Sequence, residues 1–362
     1  MKKTLSYLII LLIMVSCNPK NTYVIKVNVT GEPDSIMIHN NWYSSADTAI
    51  LIDGQCEFTG EIDTFPKLVS LGFPYPSQER TRMILEPGKI KVKYSKEDGF
   101  ILGGTENNII LQKLFDELKP YDEEVTKTWK AWGEAYRKEP RNTEECEKTW
   151  IVQEEAKKLR NEKTRELIKT NPNYAGLVIT LPIARYETAE MLKSYVDRFK
   201  EFSYDKRFES LKDQYEVAAK TTGGAPVPDF TFPDPDGKMV SLTDFRGKWL
   251  LIDFWYVDCP WCRKMTPHLI TIYEDWRDKK NFEIVSISVD KPKDYDRWKQ
   301  AIIDDGATWT QVLDSTKTYP LEYGVTGYPT MFLIDPEGKG TIKIIGYQEE
   351  GGLRRLLSEY VK

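Results

Sequence analysis

A chain of 362 residues is too long for one ordinary domain, and its 40% hydrophobic and 30% charged residues supply enough apolar matter for real cores. The 10 Trp and 20 Tyr argue against disorder, and a net charge of −5 with interspersed signs leaves no basic footprint for nucleic acid. Beyond the first residues, no run is apolar enough to span a bilayer.

Lys2 and Lys3 precede an apolar run from Leu5 to Val15, which at about 1.5 Å per helical residue is too short to cross a membrane. A basic start followed by a short apolar run and small residues reads as a signal peptide over residues 1–16. It ends at Met14-Val15-Ser16-Cys17, which resembles a bacterial lipoprotein box with Cys17 as the lipid acceptor. That resemblance implies a cell-envelope protein anchored through lipid and facing the periplasm, with residues 17–22 as the lipidated tether. An ordinary secretory signal with an incidental Cys17 is the plainer alternative. Export would place the other cysteines in an oxidising compartment. Cys56 and Cys146 lie far apart in the sequence and are read as unpaired structural residues, with a mutual disulfide as the alternative.

Residues 23–104 read as a β-rich, sandwich-like domain. Tyr23, Ile25, Val27 and Val29 alternate with polar residues, and turns are expected at Gly31-Glu32-Pro33-Asp34, Asp53-Gly54 and Pro87-Gly88. Short strand-like runs fall at Ser35–Ile38, Cys56–Thr59, Leu68–Leu71, Arg82–Leu85 and Ile90–Tyr94. No catalytic constellation occurs among them. Asp47-Thr48, Asp53-Gly54 before Phe58, Glu86-Pro87-Gly88 and the closing Gly103-Gly104-Thr105-Glu106-Asn107 resemble the small β-domain that precedes thioredoxin modules in exported lipoproteins.

Residues 105–220 change to a helical pattern. Ile110, Leu114, Leu118, Tyr121, Val125, Trp129, Trp132 and Tyr136 recur at three- and four-residue steps, the stripe of a long amphipathic helix most simply read as core. Arg141 to Thr170 is heavily charged with a thin apolar seam, as in a largely solvated helix. Asn171-Pro172-Asn173 breaks it, and residues 221–228, with paired glycines and two prolines, read as a linker.

The chemistry is concentrated in residues 229–362. Leu250 to Val257 is an almost continuous apolar run, as in a central strand buried on both faces, and it leads into Cys259-Pro260-Trp261-Cys262 and the amphipathic segment Met265 to Trp276. A lone CxxC also fits half a zinc site, but zinc needs two more ligands and only His268 lies near, so no metal is expected. A first Cys at a helix N-terminus meets unpaired N–H groups that favour thiolate, and Pro260 suits the first helical turn. Two intervening residues bring the second sulfur within bonding reach. Cys259 is therefore expected to be the exposed, attacking thiolate and Cys262 the buried resolving thiol. Asp253, among Leu, Ile, Phe and Trp, is costly unless partnered and should titrate high, unless it faces solvent. Pro329 stands at the mouth of the apolar strand Met331 to Ile334, a place for a bulge, a cis bond or an ordinary trans turn.

Pro228-Asp229-Phe230, Gly237-Lys238, Ser241 to Lys248, Phe254-Trp255 with the CxxC, Ser288-Val289-Asp290, and Tyr323-Gly324-Val325 through Pro329-Thr330 together resemble the TlpA-like branch of the thioredoxin superfamily. The resemblance implies an α/β thioredoxin fold and a membrane-tethered thiol–disulfide oxidoreductase. Its only redox group would be the Cys259–Cys262 disulfide, with no added cofactor. By the same analogy Asp253 corresponds to the buried acid beneath Cys262. Pro329 corresponds to the cis-proline facing the redox pair, with Tyr328, Trp255 and Trp261 as substrate-contacting neighbours. Asp258 stands where many relatives have Trp, and Pro260-Trp261 replaces a Gly-Pro dipeptide. The implied reaction is reduction of disulfides in exported proteins, fed by a membrane or periplasmic electron donor. Oxidase, isomerase, peroxiredoxin-like and non-enzymatic binding roles are the alternatives. Tyr256, where a peroxide-reactive Cys has its Thr, speaks against the peroxidase.

Overall fold

The computed structural model describes residues 21–31, 35–39, 46–62, 66–75, 77, 79–138 and 143–362. The expected signal peptide (1–16) and the expected lipid acceptor Cys17 lie outside the described residues. The chain divides into two compact units, Met1–Gln112 and Lys113–Lys362.

In the first unit, β1 (Thr22–Val29) lies between β4 (Gln55–Glu61) and β7 (Gly88–Ser95), and β8 (Gly99–Gly103) extends the same sheet. A second sheet has the order β3 (Ala46–Ile50), β2 (Ser35–His39), β5 (Lys67–Gly72), β6 (Arg80–Leu85). The alternation read from the sequence buries Ile25, Val27 and Val29, while Lys26 on the other face meets Glu57 across the ladder at 3.6 Å. β1 and β7 run parallel, a pairing between segments about sixty residues apart that no local pattern announces. Helix α1 (Glu106–Arg137) begins in this unit, where the fully buried Asn108 accepts from Ile84 N at 3.0 Å and donates to Ile84 O at 2.6 Å.

In the second unit, α1 continues and is followed by α2 (Thr143–Thr170), α3 (Tyr174–Ala184), α4 (Ala189–Arg198) and α5 (Lys206–Thr221). The charged α2 buries a seam of Cys146, Trp150, Gln153, Ala156, Thr164 and Leu167, spaced three, four and more residues apart as one helix face requires. Asn173 caps α3 by accepting from Gly176 N at 3.0 Å, which is why the Asn-Pro-Asn break restarts a helix at once. Then β9 (Thr231–Pro233) and β10 (Met239–Ser241) form a hairpin ahead of a five-stranded sheet. Its order is β13 (Thr310–Leu313), β12 (Phe282–Ser288), β11 (Trp249–Trp255), β14 (Thr330–Ile334), β15 (Gly340–Ile345). Helices α6 (Pro260–Trp276), α7 (Tyr295–Asp305), α8 (Thr318–Glu322) and α9 (Glu350–Ser358) complete it. One face of β11 sends Leu250, Ile252 and Phe254 into a core with Phe230, Tyr319 and Tyr323, and the other sends Leu251 under α6 and α9. Both faces are covered, as the unbroken apolar run predicts.

Residues 221–228 do not behave as a free linker. Gly224 N donates to Gly340 O at 3.2 Å, Gly340 N to Ala225 O at 3.3 Å, and Val227 N to Gly338 O at 3.1 Å, so the segment is stitched to the start of β15. Gly340 permits that approach: a Cβ there would stand 1.7 Å from Thr221 O. Paired glycines and prolines mark irregular backbone, and here its polar groups are satisfied by a strand edge rather than by water. No helix among the described residues is long and apolar enough to cross a membrane.

Candidate active site

Cys259 and Cys262 are joined in a disulfide at the point where β11 gives way to α6. Cys259 is the N-cap of α6, Pro260 occupies its first turn, and Cys262 N donates to Cys259 Sγ at 3.1 Å. That hydrogen bond satisfies one of the orphan donors of the helix end and directs positive potential at Cys259 sulfur, which stabilises negative charge developing there.

The expected contrast between an exposed Cys259 and a buried Cys262 is not found. Cys259 is 3% and Cys262 4% exposed. Both pack in one cluster with Trp255, Val257, Trp298, Ala301 and Leu313, with Tyr256 and Tyr328 against it. Trp298 and Ala301 come from α7, so the helix after β12 folds over the redox pair and closes what the local sequence would leave open. The structure thus brings Cys259, Cys262, Trp255 and Tyr328 together. Tyr328–Pro329 is a cis peptide bond, and Tyr328 meets Tyr256 edge-on at 5.4 Å.

Asp253 lies within β11, 7% exposed, and accepts from Ser286 Oγ at 2.9 Å. Burial pushes its carboxyl up to about 7, a rise that the Ser286 hydrogen bond only partly offsets. Ser286 faces it directly in the parallel β11–β12 register and in turn accepts from Trp309 Nε1 at 2.8 Å. Neither Ser286 nor Trp309 is legible as a partner of Asp253 without the strand register. The loop into the CxxC is held by Asp290, whose Oδ2 accepts from Val257 N at 3.0 Å and from Ser288 Oγ at 2.7 Å. Burial, ahead of smaller effects, raises the Asp290 carboxyl. Asp258, which would oppose a thiolate on Cys259, is held by Arg297 at 2.5 and 3.3 Å, and that hydrogen-bonded guanidinium keeps its carboxyl below the usual range.

Trp261 turns away from the cysteine cluster into an aromatic group built partly by the helical region. Its ring lies 5.4 Å from Tyr347, 5.7 Å from Tyr136 and 6.1 Å from Trp132, and Lys264 Nζ sits 4.8 Å above it. Trp132 also meets Trp150 of α2 at 5.1 Å and donates through Nε1 to Glu349 at 3.2 Å. The aromatic stripe on α1 is therefore only partly core: Trp132 is buried, whereas Trp129 is 48% exposed. His268 binds Gln348 O through Nδ1 at 2.9 Å, and no cluster of metal-ligating side chains occurs among the described residues. Cys56 and Cys146 are both free. Burial pushes the Cys56 thiol up to about 11.

Comparison with known proteins gives this geometry its family. The AhpC/TSA family model matches residues 224–342, and a domain of unknown function (DUF4369) matches residues 23–111. The chain is 33% identical over 147 residues to thiol-disulfide oxidoreductase ResA of Bacillus thuringiensis subsp. konkukian (strain 97-27), an alignment covering 38% of this chain and 76% of that protein. The chain belongs to the ResA-like thiol–disulfide oxidoreductases. ResA of Bacillus subtilis (strain 168) is 31% identical over 122 residues, covering 34% of this chain and 66% of that one. Among solved structures, the thioredoxin domain of a thiol-disulfide oxidoreductase from Bacteroides vulgatus is 38% identical, covering 38% of this chain and 97% of that one at a TM-score of 0.35. As a ResA-like oxidoreductase the chain is an enzyme with a C-terminal thioredoxin-like domain, preceded by an all-β region and helices α1–α5.

Proposed function

We propose that this ResA-like protein is an exported, lipid-anchored reductase that acts on disulfides of exported proteins. The observation that carries the reading is the Cys262 N–H donated to Cys259 Sγ at the start of α6, which favours Cys259 as the sulfur that bears charge. In the reduced enzyme Cys259 thiolate attacks a substrate disulfide. One S–S bond breaks, a mixed disulfide forms, and the first substrate sulfur leaves with the electron pair. Cys262 then attacks Cys259 sulfur, closes the enzyme disulfide and releases the second substrate thiol. Asp253 accepts the Cys262 proton, and its high carboxyl pKa suits that task. A dithiol donor in the membrane or periplasm restores the reduced pair with two electrons and two protons. The Cys259–Cys262 couple needs no further cofactor. Tyr328, Pro329, Trp255 and Trp261 contact the substrate, and residues 1–22 supply export and the Cys17 anchor.

Trapping tests the assignment. A Cys262→Ser protein should accumulate a substrate mixed disulfide on Cys259, and accumulation on Cys262 in a Cys259→Ser protein instead would reverse the two roles. Equilibration against defined glutathione ratios decides direction, since a couple more oxidising than about −180 mV would make the protein an oxidase.

A further inference from the structure

A cavity of about 940 Å³, near the upper end of the roughly 300–1,000 Å³ of ligand clefts, reaches the redox site through neighbours of the cysteines rather than through the cysteines themselves. Two residues of the redox site line it: Trp261, between the cysteines, and Tyr328, which packs on the cysteine cluster. Trp129, Trp132 and Trp150 of α1 and α2 form one wall, and Ile342 to Gly346 of β15 and the turn after it form another.

That second wall is a strand edge. β15 ends the sheet, and among the described residues no strand pairs with its outer side. Gly346 N donates to Pro329 O at 2.8 Å, which makes Gly346 and Pro329 a hydrogen-bonded pair of the antiparallel ladder. Counting back by twos, Ile344 and Ile342 also face β14, so the N–H and C=O groups of Lys343 and Ile345 point outward. The start of the same edge already holds extended chain, residues 224–227, through the bonds to Gly338 and Gly340. Only the stretch beside the cavity is left open. Gln348, 7% exposed, lines the cavity as well, and its Oε1 is buried without a hydrogen-bond partner. Main-chain donors and acceptors in a row, an unmet carbonyl acceptor and apolar ring faces together match one chemistry, an extended peptide.

We propose that this cavity is the substrate seat, and that its occupant is an extended, cysteine-bearing polypeptide segment added to the open edge of β15. The tryptophans of α1 and α2 close over it and receive the apolar side chains flanking the target cysteine. The proposal rests on the thiol–disulfide exchange reading and assigns a role to the helical region, which lies outside the matched thioredoxin domain.

The test compares two disulfides on the reduced full-length protein, read by release of pyridine-2-thione. One is the peptide acetyl-Leu-Ala-Cys-Leu-Ala-amide with its cysteine linked to 2-thiopyridine, and the other is 2,2′-dithiodipyridine. Cys259 thiolate forms a new bond to sulfur in each, and pyridine-2-thione leaves with the electron pair. N-methylation of alternate peptide amides should lower the ratio of peptide rate to small-probe rate about tenfold, the scale of one or two main-chain hydrogen bonds. Trp129→Ala should lower that ratio by a similar factor. Ile345→Pro, which deletes one outward N–H at an edge position that tolerates proline, should do the same. A ratio untouched by all three changes, or equal losses with both probes, would overturn the seat while leaving exchange chemistry standing. Release from neither probe would instead overturn the exchange reading itself.

Discussion

Ser286 donates its hydroxyl to the Asp253 carboxyl at 2.9 Å from the directly opposed position of the neighbouring parallel strand. That hydrogen bond, with Trp309 behind it, partners an acid that lies in an apolar strand, and burial still holds the carboxyl at about 7. Between an unfolded value of about 3.9 and that folded value, the folded chain binds more protons than the unfolded chain. Stability therefore falls as pH rises through this window. Asp253→Asn removes the titration, so the variant should gain stability on wild type from pH 4 to 7, by at most about 4 kcal/mol at about 1.4 kcal/mol per pH unit. Denaturant melts at several pH values measure this, and parallel curves for the two proteins would show that Asp253 does not titrate in the window. In stopped flow, first attack by Cys259 should be little changed while release of the mixed disulfide slows. Equal release rates from pH 6 to 9 would remove Asp253 as proton acceptor.

Ser286→Ala acts on the same acid in the opposite sense. Loss of a donor to the charged form should raise the Asp253 carboxyl further and leave Trp309 Nε1 without its acceptor. The pH dependence of stability should shift upward relative to wild type, a direction that a simple loss of packing would not produce.

Strand, CxxC and helix were legible because each rests on local pattern: an unbroken apolar run, a proline in a first turn, and a 3.6-residue period. Asp253 was legible as an anomaly, a carboxyl in a run of Leu, Ile, Phe and Trp. Its partner was not, because Ser286 is fixed by register with a strand formed some thirty residues later. The cover over Cys259 was hidden for the same reason, since Trp298 and Ala301 arrive on a helix whose own sequence carries no mark of the cysteines. Periodicity reports that a face is apolar and not what that face meets, so the α1 stripe places Trp132 correctly in a core but gives no sign that Trp129, one turn away, stays half exposed.

Residues 1–20 carry an expectation from sequence alone. Cys17→Ala should release the protein to the soluble fraction or stall its processing, and unchanged membrane association would refute the lipid anchor.

Gly340 joins the thioredoxin sheet to the end of α5 by lacking a side chain. A Cβ would stand 1.7 Å from Thr221 O and 2.9 Å from a Val227 methyl, and the nearer contact is backbone that cannot swing away. Gly340→Ala should cost at least about 2 kcal/mol, with the loss confined to the 221–228 segment and the start of β15 in hydrogen exchange. A melt within about 0.5 kcal/mol of wild type would show that the stitch is loose.

Arg297 offers the sharpest separation between stability and chemistry. Its guanidinium reaches Asp258, next to Cys259 in sequence, and also Asp294. The pair is solvent-exposed, so its removal should leave the melting midpoint nearly unchanged. Its effect on Cys259 is electrostatic. With Arg297 in place, the negative charge of Asp258 is neutralised beside the attacking sulfur; in Arg297→Gln that charge stands alone and opposes thiolate formation. First attack on a neutral disulfide should slow a few-fold near neutral pH, and the deficit should shrink as ionic strength rises and screens the exposed charge. Asp258→Asn in the same background should restore the rate, since no charge then remains to be neutralised. A rate loss that persists at high salt and in the double variant would mean that Arg297 acts by holding α7 over the cysteines, where Trp298 and Ala301 pack, rather than by its charge.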